Sequence, residues 1–496
     1  MVKHYQKIFL IVILIKLLYA WVFPVTTDEA YWLILGNHLD VNYYDHPPMS
    51  GWFIYLSSLL GHHVFFARLH TILYGILVAL GIHFVGKQMG YDAEKTKLAS
   101  LAFLVSPLHV LFVLIATDTP LCVFAFLSGV VFYLGNVRDR RGLVLLSGIL
   151  LGLAVLSKYF SGLLLIGMVA SLFICFDWKK ALTNSIILVA GAMPFVLLHL
   201  YWNSMNCWTN IMFNVINRNQ NIEKNYTGIL VFIAFQIYLC TPWLLYHVYR
   251  DFDRIKQGIR KDRNLFFTLF CLPNLLLGVV SLHHTGLHWY FSFYPFLFLF
   301  LFYLRADRLR RIVKYSAVFT LAHLLFVAAV LMLPVETFKN TEFYDDLLTF
   351  THGDEIYQAI QKKYGDNNYI LAANGYSPAS VLTYYSGHEF IVFAGGSKYG
   401  RHFDKLNDFR AYDGRDILIV ADAEDIDDYF DQVEHDTITV RGQVFPITIG
   451  KGFRYRNYRD RFLAWIQEKF YNIPDFLPIG RCFFYDMYFS ADGSAE

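Results

Sequence analysis

Eleven apolar runs, each near the length a helix needs to cross a bilayer, constrain this chain before any other feature does. A spanning helix takes roughly 20 apolar residues, with ~17 tolerated. Candidate runs lie at about 8–24, 64–86, 98–116, 119–136, 142–156, 161–176, 182–202, 227–249, 264–282, 289–304 and 315–333. The runs at 142–156 and 161–176 are short. Together, however, they are too long for one span and have basic clusters at both ends, so they read as a two-span hairpin. The first run has a basic start but lacks a small-residue cleavage site, which predicts a retained first helix rather than a signal peptide. With 56% hydrophobic and 18% aromatic residues among 496, the composition excludes an ordinary soluble domain and predicts a polytopic α-helical membrane protein.

A net charge of +2 is too mild for a nucleic-acid-binding chain. The placement of the charges carries more information. With the N-terminus in the cytoplasm, twenty-one Lys and Arg residues fall in the inner segments, and the outer loops hold only Lys158, Arg218 and Lys224. That asymmetry obeys the positive-inside rule. It predicts that Thr26 to Trp52 and everything after Leu333 face outward. The tail, 334–496, is charged and alternates short apolar strands ("YILAA", "EFIVFAG", "DILIVAD") with polar or helical pieces. It is expected to be a soluble α/β domain on the outer face, following a membrane domain at 1–333. The six cysteines are far apart, without any C-x-x-C, so neither a zinc motif nor a disulfide framework is visible.

The outer stretch "TTDEAYWLILGNHLDVNYYDHPPMSGW" places Asp28, Glu29, Asp45 and His46 among interfacial aromatics. Solvated loop acids with an aromatic belt are the plain alternative, and three further residues argue against it. Asp118 in "IATDTPL" lies in a short outer turn, and Lys158 lies in the outer turn of the next hairpin. Arg68 in "FFARLH" falls about one turn inside the second span, where a charge is expensive unless paired or functional. Carboxylates, a Lys and an Arg at one membrane depth suit an anionic ligand, phosphate above all, beside a group that takes a proton from an acceptor. His283, His284 and His288, in an outer loop, could ligate a divalent metal with Asp45 or His46, or simply begin a helix at the interface. The Asn-rich loop 201–228 could be a flap or a surface helix. Gly395 and Gly396 read as a turn.

In order, "TTDEAYW", "YYDHPPMSGWF", "FFARL", "ATDTPL" and "LSKYFSGLLL" resemble the signatures of the GT-C membrane glycosyltransferases. They look most like the bacterial branch related to protein O-mannosyltransferases and to the aminoarabinose transferases of lipid A. The resemblance covers the first 170 or so residues. It implies transfer of a sugar from a polyprenyl-phosphate donor to a lipid A, glycan or protein acceptor at the periplasmic face of the bacterial inner membrane, with inversion at the anomeric carbon. By that resemblance Asp28 is the catalytic base, and Glu29, Asp45, His46, Arg68, Asp118, Lys158 and His288 contact substrate. His46 stands where the aminoarabinose branch has Lys, and Tyr31 where it has Arg. Departure of a phosphate needs one base and stabilising cations, but no second carboxylic acid. The rival reading is a transporter or flippase of an anionic lipid, although such proteins gather charges at the midplane on broken helices. A polysaccharide ligase or polymerase is a third.

Overall fold

The computed structural model describes residues 4–107, 109–110, 119–219, 226–262, 272–280, 293–365, 367–478 and 480–490. It divides into two compact units. One comprises Met1–Phe23, Pro47–Leu198 and Asn221–Leu331, and the other Pro24–His46, His199–Gln220 and Met332–Glu496.

The described residues of the first unit form helices joined by turns, with no strand among them. Tyr5–Val22, Val64–Gln88, Trp178–Met205 (whose end passes into the other unit) and Ala306–Leu331 are long and apolar enough to cross a membrane. A fifth span is formed if the bent pair Thr227–Tyr238 and Pro242–Arg250 counts as one; its halves meet at 77°. Pro242 opens the second half after Thr241, which has a positive φ. Cys122–Val137, Arg141–Val155, Ser161–Cys175 and Tyr294–Tyr303 are apolar but shorter. Among the described residues these are fewer than the eleven expected spans, because the runs at 98–116, 264–282 and 289–304 lie partly outside the described residues and others are short. A 15-residue helix such as Arg141–Val155 rises only about 22 Å, against a hydrocarbon core of roughly 30 Å.

Polar and small residues hold these helices together, as expected where lipid gives no hydrophobic drive for association. The Ser128 hydroxyl donates to Ser147 O (2.8 Å) and the Ser147 hydroxyl to Ser128 O (2.9 Å), joining Thr119–Val137 to Arg141–Val155. Gly148 lets Arg141–Val155 touch Trp178–Met205 backbone to backbone, since a Cβ there would lie 2.2 Å from Leu188 O. Leu10, Ile11, Leu14, Leu18 and Trp21 stand exposed on the first helix, an apolar face that suits lipid contact.

The second unit is an α/β fold. Strands β1 (Ile370–Ala373), β2 (Ile391–Val392), β3 (Ile417–Ile419), β4 (Gln432–Val440) and β5 (Gln443–Lys451) form one sheet in the order β2-β1-β3-β5-β4. β1 pairs in parallel with β2 and β3, while β5 runs antiparallel to both β3 and β4. The three apolar segments singled out in the sequence contain β1, β2 and β3. The β4–β5 hairpin closes on Arg441 and Gly442, both at positive φ, the backbone that a two-residue hairpin turn requires. Ile391, Phe393, Ile417, Ile419, Phe430, Phe453 and Tyr458 form the core. This unit also takes in 24–46 and 199–220, stretches the sequence reading had assigned to the membrane domain. The second is fixed by a disulfide between Cys207 and Cys482, which corrects the expectation of no disulfide: the partners lie 275 residues apart, where spacing carries no signal. The backbone pairs there too, with Cys207 N–H donating to Arg481 O and Arg481 N–H to Ser204 O, both at 2.8 Å.

Candidate active site

The helix Thr27–Asn37 begins with a capping box. Thr26 accepts from Glu29 N–H, and the Glu29 carboxylate accepts from Thr26 N–H (3.0 Å) and its hydroxyl (3.1 Å). Such a box satisfies backbone donors that the first turn leaves unpaired. It buries Glu29 to 5% exposure and leaves Asp28, one residue earlier, exposed. The two neighbouring acids therefore have different surroundings. Glu29 anchors the turn, and Asp28 is the exposed carboxylate beside it.

Asp45 is treated in the opposite way. It is buried, its Oδ1 accepts from the Tyr31 hydroxyl (3.1 Å) and pairs with His46 Nδ1 (3.0 Å), and its Oδ2 accepts from Gly400 N–H (3.3 Å). Burial alone would raise its pKa. The histidines and the Gly400 N–H outweigh that and hold it below the usual carboxylate value. One of those histidines, His402, is itself depressed to about 4 by burial and by Lys405, so near neutral pH it is uncharged. At that pH His402 therefore adds no charge to the hold on Asp45. The Nδ1 of His402 accepts from Tyr44 N–H (3.3 Å), which leaves the ring proton on Nε2.

The loop that carries Gly400 and His402 is itself clamped. Arg401 is buried and forms a two-pronged pair with Asp404, both bonds 2.6 Å, while donating to Gly395 O (2.8 Å) and Ser397 O (3.1 Å). Lys405 donates to Asp40 Oδ2 (2.5 Å) and to Asn206 Oδ1 (2.8 Å). Asn210 donates to Tyr43 O (2.7 Å) and Asn214 to Asp45 O (3.4 Å). Segments around residues 210 and 400 thus converge on the stretch at 43–45, the first on its backbone carbonyls and the second on the Asp45 carboxylate.

In the other unit, Arg68 is 1% exposed, and its Nη1 donates to Ala20 O (2.9 Å) and Phe23 O (2.7 Å). It caps the carbonyl end of the first helix, as a cation at a helix C-terminus can. That gives it a structural task beside the expected phosphate contact. Lys158 lies half-buried in the turn between Arg141–Val155 and Ser161–Cys175. In the same turn Leu156 O accepts from Met49 N–H (3.0 Å), tying down the start of helix Met49–Ser58. Asp118, His283, His284 and His288 lie outside the described residues. Among the described residues, no group of three or more His, Cys, Asp or Glu side chains could hold a metal ion.

The description of dolichyl-phosphate-mannose-protein mannosyltransferases matches residues 45–202, a stretch that contains Asp45, His46, Arg68, Asp118 and Lys158. A lipid A galacturonosyltransferase of Rhizobium johnstonii, RgtD, is 26% identical over 258 residues, 50% of this chain and 54% of that protein. The fold is that of crystal structures of ArnT from Cupriavidus metallidurans. The apo form superposes with a TM-score of 0.61 and the form bound to undecaprenyl phosphate with 0.62, each at 12% identity over 90% of this chain and 98% of the other. The chain thus resembles the mannosyltransferases over residues 45–202 and has the fold of ArnT. Its aligned part spans about half the length of the curated relative.

In the sequence the acidic motif around Asp28 and Asp45 stands out, but its supports do not. Gly400, Arg401 and His402 belong to no motif, and only the "GG" turn at Gly395 hinted at an ordered loop. Lys16 did leave a signal, a charge inside the first apolar run. It is fully buried, with Nζ 3.3 Å from His109 Nε2.

Proposed function

We propose that this chain transfers a sugar from a polyprenyl-phosphate carrier to lipid A at the outer face of the bacterial inner membrane, with Asp28 as general base. The observation that carries the reading is the contrast between its two carboxylates, one exposed at a helix start and the other buried and fully bonded. The acceptor hydroxyl oxygen attacks the anomeric carbon, the bond from that carbon to the phosphate oxygen breaks, and the hydroxyl proton passes to Asp28. A one-step displacement inverts the anomeric centre. Asp45, locked by Tyr31, His46 and Gly400 N–H, shapes the site and takes no proton. Lys158 is assigned to the departing phosphate, as a cation that stabilises charge developing on the carrier. Arg68 fixes the end of the first helix, and with it the start of the segment that leads to Asp28.

The likeness to RgtD and to ArnT supports lipid A as acceptor and a polyprenyl phosphate as carrier. The outward orientation draws support from the Cys207–Cys482 disulfide, a bond that persists in oxidising compartments. The test is to incubate purified protein with lipid A and a polyprenyl-phosphate-linked hexuronic acid. Free polyprenyl phosphate should appear in step with a mass gain on lipid A. Movement of the intact donor across a liposome membrane, without release of carrier, would favour a flippase instead.

A further inference from the structure

Tyr376, which no motif marks, feels the charge of both carboxylates of the site. It is the first residue of the helix Tyr376–Ser386, which packs against the Asp28 helix Thr27–Asn37. Its ring meets the ring of Tyr31 edge to face at 5.2 Å, and the Tyr31 hydroxyl is bonded to Asp45. On its other side lies Gly400, at φ +72°, where a Cβ would sit 2.2 Å from Tyr376 Cγ. The glycine is required twice here: its backbone adopts a left-handed conformation costly for other residues, and its missing side chain leaves room for the tyrosine ring. The same Gly400 donates its N–H to Asp45, so one residue sets both the ring and the buried carboxylate. The ring is thereby fixed, yet Tyr376 stays half-exposed.

We infer that the Tyr376 hydroxyl binds the acceptor sugar, donating a hydrogen bond to an oxygen next to the hydroxyl that Asp28 deprotonates; this rests on the reading of Asp28 as base. Three features support it. The helix that begins with Tyr376 packs against the one that carries the exposed Asp28, which suits a neutral polyol held beside the base. Burial, then the charge of Asp28, then that of Asp45 raise its pKa, so it keeps its proton and acts as a donor. A rigid aromatic with one polar tip loses little conformational freedom when it orients a ligand. The α/β unit would then contribute directly to acceptor choice.

The experiment compares Tyr376→Phe with the parent protein, both intact in detergent, using lipid A as acceptor and undecaprenyl phosphate as the carrier-binding probe. The phenylalanine keeps the contacts with Tyr31 and Gly400 and removes only the hydroxyl. Loss of one hydrogen bond between the phenol and a sugar oxygen predicts a ~10- to 100-fold fall in kcat/KM for lipid A, carried mainly by KM. Undecaprenyl phosphate affinity should be unchanged. A variant that handles lipid A like the parent would overturn the assignment, as would one that loses undecaprenyl phosphate affinity instead. The two readings fail separately. If Asp28→Asn abolishes release while Tyr376→Phe leaves it intact, only the Tyr376 assignment falls. A parent protein that releases no carrier in the presence of lipid A overturns both.

Discussion

Replacing Arg401 with Met should loosen the loop that holds Asp45, and the structure sets the scale of the effect. Arg401 and Asp404 are 6% and 7% exposed and joined by two 2.6 Å bonds. Without the guanidinium, Asp404 keeps the Tyr471 hydroxyl (2.7 Å), a single neutral donor for a buried charge. Breaking such a pair from one side costs ~3 to 5 kcal/mol, because an uncompensated charge remains. That is a large part of the ~5 to 15 kcal/mol that keeps a domain folded. The double variant Arg401→Met/Asp404→Leu removes the stranded charge and should recover most of the loss. It should fall short of the parent by about 1 to 2 kcal/mol, since the Tyr471 hydroxyl and the carbonyls of Gly395 and Ser397 lose partners. Native-state proteolysis in detergent reads the free energy of opening when cleavage is slow relative to closing. A single variant within about 1 kcal/mol of the parent, or a double variant weaker than the single one, would refute the reasoning.

Two other perturbations address the same scaffold. Reducing the Cys207–Cys482 bond, or replacing both cysteines with serine, should free the segment carrying Asn210 and Asn214 at a cost of ~2 to 5 kcal/mol; the expected outcome is new cleavage within 199–220 and slower transfer, and an unchanged digest at full activity would contradict it. His402, held neutral down to about pH 4 from an ordinary value of 6.5, makes the unfolded chain the better proton binder between those values. Stability should be full above pH 6.5 and fall as pH drops toward about 4, by ~3 kcal/mol. His402→Asn, which keeps an acceptor for Tyr44 N–H but does not titrate, should flatten that part of the profile, and parallel profiles would count against a buried neutral His402.

The sequence made the apolar runs legible because a bilayer demands uninterrupted apolarity, a signal that needs no knowledge of neighbours. The shortness of the two runs around Lys158 was also legible, and close helix packing through Gly148 and paired serines accompanies those short helices. The capping box of Thr26 and Glu29 was equally local, since a Thr followed three residues later by Glu announces a helix start. It went unread because the loop was taken as an interfacial strip. The grip on Asp45 could not be read at all. Tyr44 and His402 meet across 358 positions, and no local rule links them. The two family departures, Tyr31 and His46, find a shared physical reason in the fold. Both bond the Asp45 carboxylate, so a phenol and an imidazole together hold a group that neither identifies alone.

The most direct test of the central claim is the transfer rate of purified Asp28→Asn with a polyprenyl-phosphate-linked donor and lipid A. Asparagine keeps the size and most of the hydrogen bonding of this exposed residue but cannot take up the acceptor proton. The account predicts that transfer falls by ~10² to 10⁴-fold, the usual worth of a general base, while undecaprenyl phosphate binds as before and the protein stays folded. Transfer by Asp28→Asn at close to the parent rate would contradict it.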